Sequence, residues 1–133
     1  MATLYRAADY AEVRVGYSLT QSKKVAKAYQ SNPGFGGVNL YKCNVDLTGV
    51  LDLTDSDDVW ADLSRAAGCE IDPDRFQDHF ARVLPTSDEV CESLAGNGYH
   101  WVRFCDDFPE GAETIIPVSA FAAESADDAM DDA

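Results

Sequence analysis

The sequence predicts an α+β fold: one domain of small, mostly antiparallel sheets with a helical segment inserted in the middle. Three observations support this prediction. The chain has 133 residues, the size of one domain that buries roughly two-thirds of its unfolded surface. Hydrophobic residues make up 46% of it, which argues against global disorder. Strand patterns occupy both ends and helix patterns the middle, an order typical of α+β rather than of a doubly wound parallel sheet.

The first half of the chain contains short extended segments and one helix. A helix is expected over about 21–30, with Thr20 as its N-cap, because Val25, Ala28 and Tyr29 fall on one face at helical spacing. Four extended segments are predicted from strand-forming residues or from a period of two: 3–6, 16–20, 38–47 and 50–53.

Three helices are predicted in the middle, because each stretch begins at capping residues and ends at glycine or proline. They run from Asp55 or Ser56 to Gly68, from Asp72–Pro73 to Pro85, and from the capping box Thr86–Glu89 to Gly96.

The last part of the chain predicts two strands and an acidic tail. The strands are expected at 99–105 and 114–118, with Pro117 indicating an edge position because proline donates no ladder hydrogen bond. Residues 106–113 are expected to form an acidic loop between them. Residues 123–133 carry acids, no base and almost no large apolar group, so they are expected to be a disordered tail outside a domain spanning 1–122.

Net charge limits the partners of the chain. The 24 acidic and 10 basic residues give a net charge of −14, which argues against direct binding to nucleic-acid phosphates or to anionic membranes. The chain also lacks an apolar run near the roughly 20 residues of a membrane-spanning helix, and its N-terminus lacks a signal core. We therefore expect a soluble, cytoplasmic protein.

The cysteines do not predict a metal site. Their four positions leave no C-x-x-C spacing, and the two histidines do not lie at ligand spacing from them. We expect the four cysteines to serve as small apolar side chains that fill the core, in a reducing compartment.

Three features could carry chemistry. Arg6 ends the first strand, Ser18 and Thr20 lie between an extended segment and a helix, and acids cluster in the loop 106–113. Each also has a structural interpretation, since arginine covers sheet edges, hydroxyls cap helices and charged loops are usually solvated. Their joint presence is more informative than any one of them.

The order of these features resembles the ADP-ribosyltransferase fold of the cholera-toxin-like and diphtheria-toxin-like proteins. The resemblance covers roughly residues 3–121. It is carried by a first strand ending in arginine, a Gly-aromatic-Ser-x-Thr segment leading into an Ala-x-x-Tyr helix, two following strands and a Gly-Tyr pair. In this chain these are Leu4-Tyr5-Arg6-Ala7, Gly16-Tyr17-Ser18-Leu19-Thr20, Ala26–Tyr29, Leu40–Val45, Val50–Leu53 and Gly98-Tyr99.

Size, acidity and the C-terminal layout are also similar to those of small phage-encoded anti-CRISPR ADP-ribosyltransferases. In that group the catalytic aspartate follows the glycine of a Gly-Tyr pair by eight residues, which implies Asp106 here. The Glu-x-Glu motif of arginine-specific toxins is absent, because Gly111 stands two residues before Glu113. The catalytic acid therefore stays open between Asp106 and Glu113, and modification of arginine is not implied.

The resemblance implies a mono-ADP-ribosyltransferase that uses NAD to modify a protein. A carboxylate would stabilise the positive charge that develops on the ribose as the nicotinamide bond breaks. Arg6 would hold the phosphates or ribose of NAD, and Tyr17 and Tyr29 would stack on nicotinamide. Ser18 or Thr20 would hold the site together through hydrogen bonds of their hydroxyls. The target would have a basic surface, as in a nucleic-acid-binding, CRISPR-type host defence complex, and the site of action would be the host cytoplasm.

A second interpretation needs no catalysis. The same acidity could serve a non-enzymatic inhibitor that mimics nucleic acid and occupies a basic groove. An antitoxin or immunity-type partner, or acidity as an adaptation to high salt, would also account for the charge.

Overall fold

The computed structural model describes residues 1–31, 37–72, 74, 87–106 and 112–133, and this part of the chain forms an α+β domain, as predicted. The described strands are β1 (Ala2–Ala8), β2 (Asn39–Val45), β3 (Val50–Asp52), β4 (Trp101–Asp106), β5 (Ala112–Pro117) and β6 (Asp131–Asp132). The described α-helices are α1 (Lys23–Gln30), α2 (Val59–Ala67), α3 (Asp88–Gly96) and α4 (Ala120–Asp128). None of these helices is long and apolar enough to cross a bilayer.

The strands form two sheets of three strands each. The first has the order β1-β2-β6 and is antiparallel throughout. The second has the order β3-β4-β5, with β4 and β5 antiparallel and β3 parallel to β4. Pro117 ends β5, which lies at the edge of this sheet, in agreement with the edge position that the proline predicted.

Residues 19 and 20 join the two sheets. The backbones of Thr20 and Tyr5 exchange hydrogen bonds of 2.7 and 3.0 Å, and those of Leu19 and Ile115 exchange bonds of 2.8 and 2.7 Å. The predicted extended segment 16–20 thus contributes its last two residues as a bridge between β1 and β5. Because one strand-like segment separates them, β1 and β5 lie two strand spacings apart at this point, about 10 Å.

Two hydrophobic clusters form the core. One lies between the sheets and includes Leu4, Trp101 and Ile115; the other lies between the second sheet and the helices α2 and α3. Neighbouring β5 residues Ile115 and Ile116 enter different clusters, as expected for a strand whose side chains alternate, and both are fully buried. Each such side chain stabilises the fold by about 1.5–3 kcal/mol, so β5 is anchored on both faces.

Three helix N-caps lie one to three residues beyond the predicted positions. In each, a side-chain oxygen accepts from a backbone N–H three residues later. The observed caps are Ser22 rather than Thr20, Asp58 rather than Asp55 or Ser56, and Ser87 rather than Thr86. Thr20 is excluded as a cap because its backbone pairs with Tyr5. Helix α2 ends at Gly68 as predicted. The helix predicted from Asp72–Pro73 to Pro85 lies outside the described residues except for Asp72 and Asp74.

The acidic C-terminus differs from the predicted disordered tail at 123–133. Helix α4 extends to Asp128, and β6 pairs with β2. Small side chains explain this order, because Ala122, Ala123 and Ala126 bury one face of α4 against the core. In addition, Asp127 Oδ1 accepts a 2.9 Å hydrogen bond from the Val13 N–H. The folded part of the chain therefore continues past residue 122.

Candidate functional site

A pocket of about 160 Å³ lies where the two sheets meet. Its walls are three consecutive residues of β1 (5–7), residues 18–20, Ala26 and Tyr29 of α1, and Thr114 of β5. Four of the seven predicted site residues therefore line one cavity: Arg6, Ser18, Thr20 and Tyr29. We call it the Arg6 pocket.

Arg6 is held by the segment that follows β1. Its Nη1 donates a 2.8 Å hydrogen bond to the Ser18 carbonyl oxygen, and its guanidinium carbon lies 4.6 Å from the centre of the Tyr17 ring. Burial lowers the pKa of Arg6, and the charges of Tyr17 and Glu12 partly oppose this effect. Because arginine stays protonated in proteins, the result is a partly desolvated cation. Its Nε is buried and has no hydrogen-bond partner within the described structure.

Three other predicted residues make contacts within the chain. Tyr17 lies against the Arg6 guanidinium, so one face of its ring is already covered. Ser18 holds Arg6 through its carbonyl oxygen rather than its hydroxyl. The buried Thr20 accepts a 3.1 Å hydrogen bond from the Ser22 N–H, which fixes the turn into α1.

Glu113 is the predicted acid whose side chain the structure describes. Arg6 lies two residues after Leu4, and Glu113 lies two residues before Ile115; Leu4 and Ile115 belong to the same core cluster. Because side chains alternate along a strand, Arg6 and Glu113 project from the side of β1 and β5 that carries this cluster. Glu113 is not among the residues that line the Arg6 pocket, but its neighbour Thr114 is.

The Glu113 carboxylate has one bonded and one unbonded oxygen. Its Oε2 accepts a 2.7 Å hydrogen bond from Arg103 Nη2 on β4. Its Oε1 is buried and has no partner among the described residues. Buried polar atoms are nearly always hydrogen-bonded, so this unpaired oxygen marks Glu113 as a candidate functional group. The backbone of Asp106 pairs with Ala112 at the end of β4, but its side chain lies outside the description.

Sequence reasoning did not identify Arg103, Tyr5 or Thr114. For Arg103 a signal was present, because the alternation that puts Val102 and Phe104 on one face of β4 puts Arg103 on the other. A single cation between two buried apolar residues is a candidate partner for an acid on a neighbouring strand. Tyr5 and Thr114 carried no comparable signal, because their place in the pocket depends on how the two sheets join.

A second cavity of about 580 Å³ lies between β2, the start of β4 and α4. Trp101, Phe121 and Met1 contribute to its lining, and it is the larger of the two. His100 also lines this cavity, and its Nδ1 lies 2.7 Å from Ser119 Oγ, the atom that accepts from the Ala122 N–H as the cap of α4. This pair therefore supports the helix end. The Arg6 pocket is the better candidate, because it holds a desolvated cation with an unpaired donor.

Metal chemistry finds no support in the described part of the chain, where no three histidine, cysteine or acidic side chains are grouped to hold an ion. None of the four cysteines forms a disulfide. Burial raises the pKa of Cys43 and that of Cys91 to about 11, whereas Cys69 and Cys105 are exposed.

Comparisons of the chain with protein-family models, with curated proteins and with solved structures gave no match. The functional argument therefore depends on the residues of the site and on their geometry.

Proposed function

We propose that this chain is a mono-ADP-ribosyltransferase with an ADP-ribosyltransferase-like arrangement of its two sheets, and that it uses NAD to modify a protein. One observation carries the proposal. A half-buried arginine and a half-bonded glutamate, each with an unpaired buried atom, project from the same side of two strands that flank residues 19–20. The order of sequence motifs adds support to this assignment.

Transfer of ADP-ribose from NAD requires mainly that the protein place charged groups next to the reacting ribose. The bond between ribose C1′ and the nicotinamide nitrogen breaks, its electron pair leaves with nicotinamide, and an acceptor atom on the target forms the new bond to C1′. Glu113 would stabilise the positive ribose and take the proton that the acceptor loses. Arg6 would offer its free Nε–H to a phosphate or ribose oxygen.

The fit of the Arg6 pocket to NAD is partial. A volume of about 160 Å³ is below the roughly 300–1,000 Å³ of pockets that enclose a drug-sized ligand. It would accommodate one ring of a dinucleotide, with the remainder lying along the junction between the sheets.

Local charge favours an anionic ligand here despite the net charge of −14. All four lysines of the chain are on α1 or β2: Lys23, Lys24, Lys27 and Lys42. Helix α1 has no acidic residue and contributes Ala26 and Tyr29 to the pocket wall. These lysines would offset the repulsion that the acidic chain exerts on the phosphates of NAD.

The acidic remainder of the surface would steer the enzyme to a basic protein target. A nucleic-acid-binding, CRISPR-type host defence complex fits this description, and the enzyme would then be phage-encoded and act in the host cytoplasm. The target residue is best identified by mass spectrometry of the modified protein.

Labelled NAD tests the proposal directly. Purified protein is incubated with NAD and with host lysate, and both nicotinamide release and label transfer are measured. Glu113→Gln should reduce turnover by at least about 100-fold, because it removes the carboxylate charge at nearly constant shape. Asp106→Asn is assayed beside it to decide between the two predicted acids. Glu89→Gln, on the exposed side of α3, is the matched control.

Arg6 is tested by its effect on NAD binding. Arg6→Met should weaken binding by about 10- to 100-fold, the equivalent of the 1.5–3 kcal/mol of a charged hydrogen bond. Arg6→Lys should recover only part of this loss, because lysine lacks the planar fork. The exposed Arg65→Met is the control. If wild-type protein neither binds nor cleaves NAD with any basic target, the enzymatic proposal is wrong.

The acidic-mimic alternative is favoured by one structural feature. Five acids are exposed on α4 and β6, where the fold holds them in place: Glu124, Asp127, Asp128, Asp131 and Asp132. A mimic would inhibit its partner without NAD and would lose potency steeply with added salt. An enzyme would need NAD and would leave a covalent mark on its target.

A further inference from the structure

Arg103 on β4 links carboxylates from the two neighbouring strands. Its Nη1 lies 3.3 Å from Asp52 Oδ2 on β3, and its Nη2 lies 2.7 Å from Glu113 Oε2 on β5. The strand register explains this arrangement, because Asp52 is the direct partner of Arg103 in the parallel pair, whereas Glu113 is diagonal to it across the antiparallel pair.

Asp52 is itself held in place by Thr54. Its Oδ1 accepts two hydrogen bonds from Thr54, one from the hydroxyl at 2.6 Å and one from the backbone N–H at 3.0 Å. These bonds are the main reason that the pKa of Asp52 is lowered, with Arg103 adding to the effect. The two oxygens of Asp52 therefore have different partners, since Oδ1 bonds Thr54 and Oδ2 faces Arg103.

The guanidinium of Arg103 is shared between two acids, and one of its nitrogens contacts Glu113. An isolated arginine–carboxylate pair usually bonds both oxygens with two parallel N–H groups. Here Nη2 alone reaches Glu113 and Nη1 faces Asp52, and both Arg103 Nε and Glu113 Oε1 stay buried and unpaired within the described structure. The Glu113 side chain is only 22% exposed, so water screens this pair less than a surface pair.

We propose that Arg103 is a positioning residue that, supported by Asp52, fixes the Glu113 carboxylate and leaves Oε1 as its free acceptor oxygen. Oε1 would accept a hydrogen bond from a ribose hydroxyl or the proton of the acceptor, and this part of the inference rests on the proposed function. The fixed orientation of Glu113 does not rest on it and has a readout of its own.

Kinetics test the positioning role if the protein turns over NAD. Arg103→Gln should lower kcat by about 100-fold, the cost of misplacing a reacting group by about 1 Å, while KM for NAD changes little. Arg103→Lys should restore part of kcat, and Asp52→Asn should cause a smaller loss than Arg103→Gln. In a Glu113→Gln background, Arg103→Gln should add less than about a threefold loss, because residues that act as a unit are not additive.

Arg65→Gln is the matched control, since Arg65 also contacts a carboxylate, Asp62, at 2.8 Å but on α2. Independent, multiplying effects of Arg103→Gln and Glu113→Gln on kcat would overturn the proposal. So would a loss in Arg103→Gln that appears only in KM. Circular dichroism and the lysine variant separate these outcomes from a failure to fold.

A measurement without NAD separates this inference from the proposed function. The ¹³C chemical shift of the Glu113 carboxyl at neutral pH reports the contacts of its oxygens. Arg103→Gln should move this resonance and Arg65→Gln should not, whether or not the protein cleaves NAD. An unchanged resonance in Arg103→Gln would show that Arg103 does not hold Glu113. A shifted resonance in a protein without NAD turnover would retain the positioning role and reject the transferase.

Discussion

Two glycines with the same backbone strain should respond very differently to alanine. Gly49 and Gly98 have φ angles of 72° and 90°, a region that costs an L-residue about 1–2 kcal/mol. A Cβ at position 49 would lie 2.9 Å from the Gly98 carbonyl oxygen and 3.0 Å from His100 Cδ2, whereas a Cβ at position 98 meets nothing within 4 Å. Only Gly49 adds a steric clash to the backbone strain.

The clash at Gly49 falls on a structural contact. The Gly49 carbonyl accepts from the N–H groups of His100 and Trp101, at 2.8 and 3.3 Å, so backing away from Gly98 loosens both bonds. With about 0.5–1.5 kcal/mol for each bond, Gly49→Ala should cost about 3 kcal/mol and Gly98→Ala about 1 kcal/mol.

Urea unfolding followed by tryptophan fluorescence measures both variants. Gly96→Ala is the control, because Gly96 ends helix α3, its Cβ would meet nothing within 4 Å, and alanine is the better helix former by up to about 1 kcal/mol. It should therefore be neutral or stabilising. Equal losses for Gly49→Ala and Gly98→Ala would refute the steric argument and leave backbone strain as the sole cause.

Three further predictions follow from burial, charge and chain order. A thiol reagent at pH 8 should label two cysteines of the native protein quickly and the other two only after unfolding, since burial raises the pKa of Cys43 and Cys91 to about 11; four fast thiols would contradict this. The pKa of Asp52 is lowered in the folded state, so its stabilisation is complete above the unfolded value of about 3.9 and is lost as pH falls through the lower folded value. The urea midpoint of the wild-type protein should therefore fall as the pH drops below 4, and in Asp52→Asn it should fall less. The difference should be small because the Asp52 side chain is 46% exposed; identical pH profiles for the two proteins would contradict this prediction. Deleting residues 124–133 should lower Tm, because it removes β6 and the fully buried Ala126; an unchanged Tm would restore the disordered-tail interpretation.

Local patterns predicted the elements better than their ends. The strand 3–6 and the stop of α2 at Gly68 were confirmed because they depend on residues close in sequence. The caps were displaced because the chain offers several capping side chains in succession, such as Asp55, Ser56 and Asp58, and only packing selects among them. The C-terminus was misjudged from its acidity, because three small alanines supplied the buried face that charge counting overlooked.

The site was partly predictable for the same reason. Arg6 and residues 16–20 are close in sequence to the elements that hold them, so their meeting at one pocket could be expected from a strand followed by a turn and a helix. The contact of Glu113 with Arg103 depends on the pairing of β4 with β5, and its support by Asp52 depends on β3. Such registers are set by the whole domain and are not encoded in any short pattern.

The parallel pairing of β3 with β4 places the Asp52 carboxylate beside Arg103. In the observed register, Val50 lies beside Trp101 and Asp52 lies beside Arg103, so apolar and charged neighbours are matched. An antiparallel pairing about the same centre, Leu51 beside Val102, would place Asp52 against the buried Trp101 and leave Arg103 beside Val50. That exchange would desolvate a carboxylate without a partner, at a cost of several kcal/mol. The parallel pair therefore places apolar neighbours beside Trp101 and a charged neighbour beside Arg103. Arg103 is also the residue that contacts Glu113.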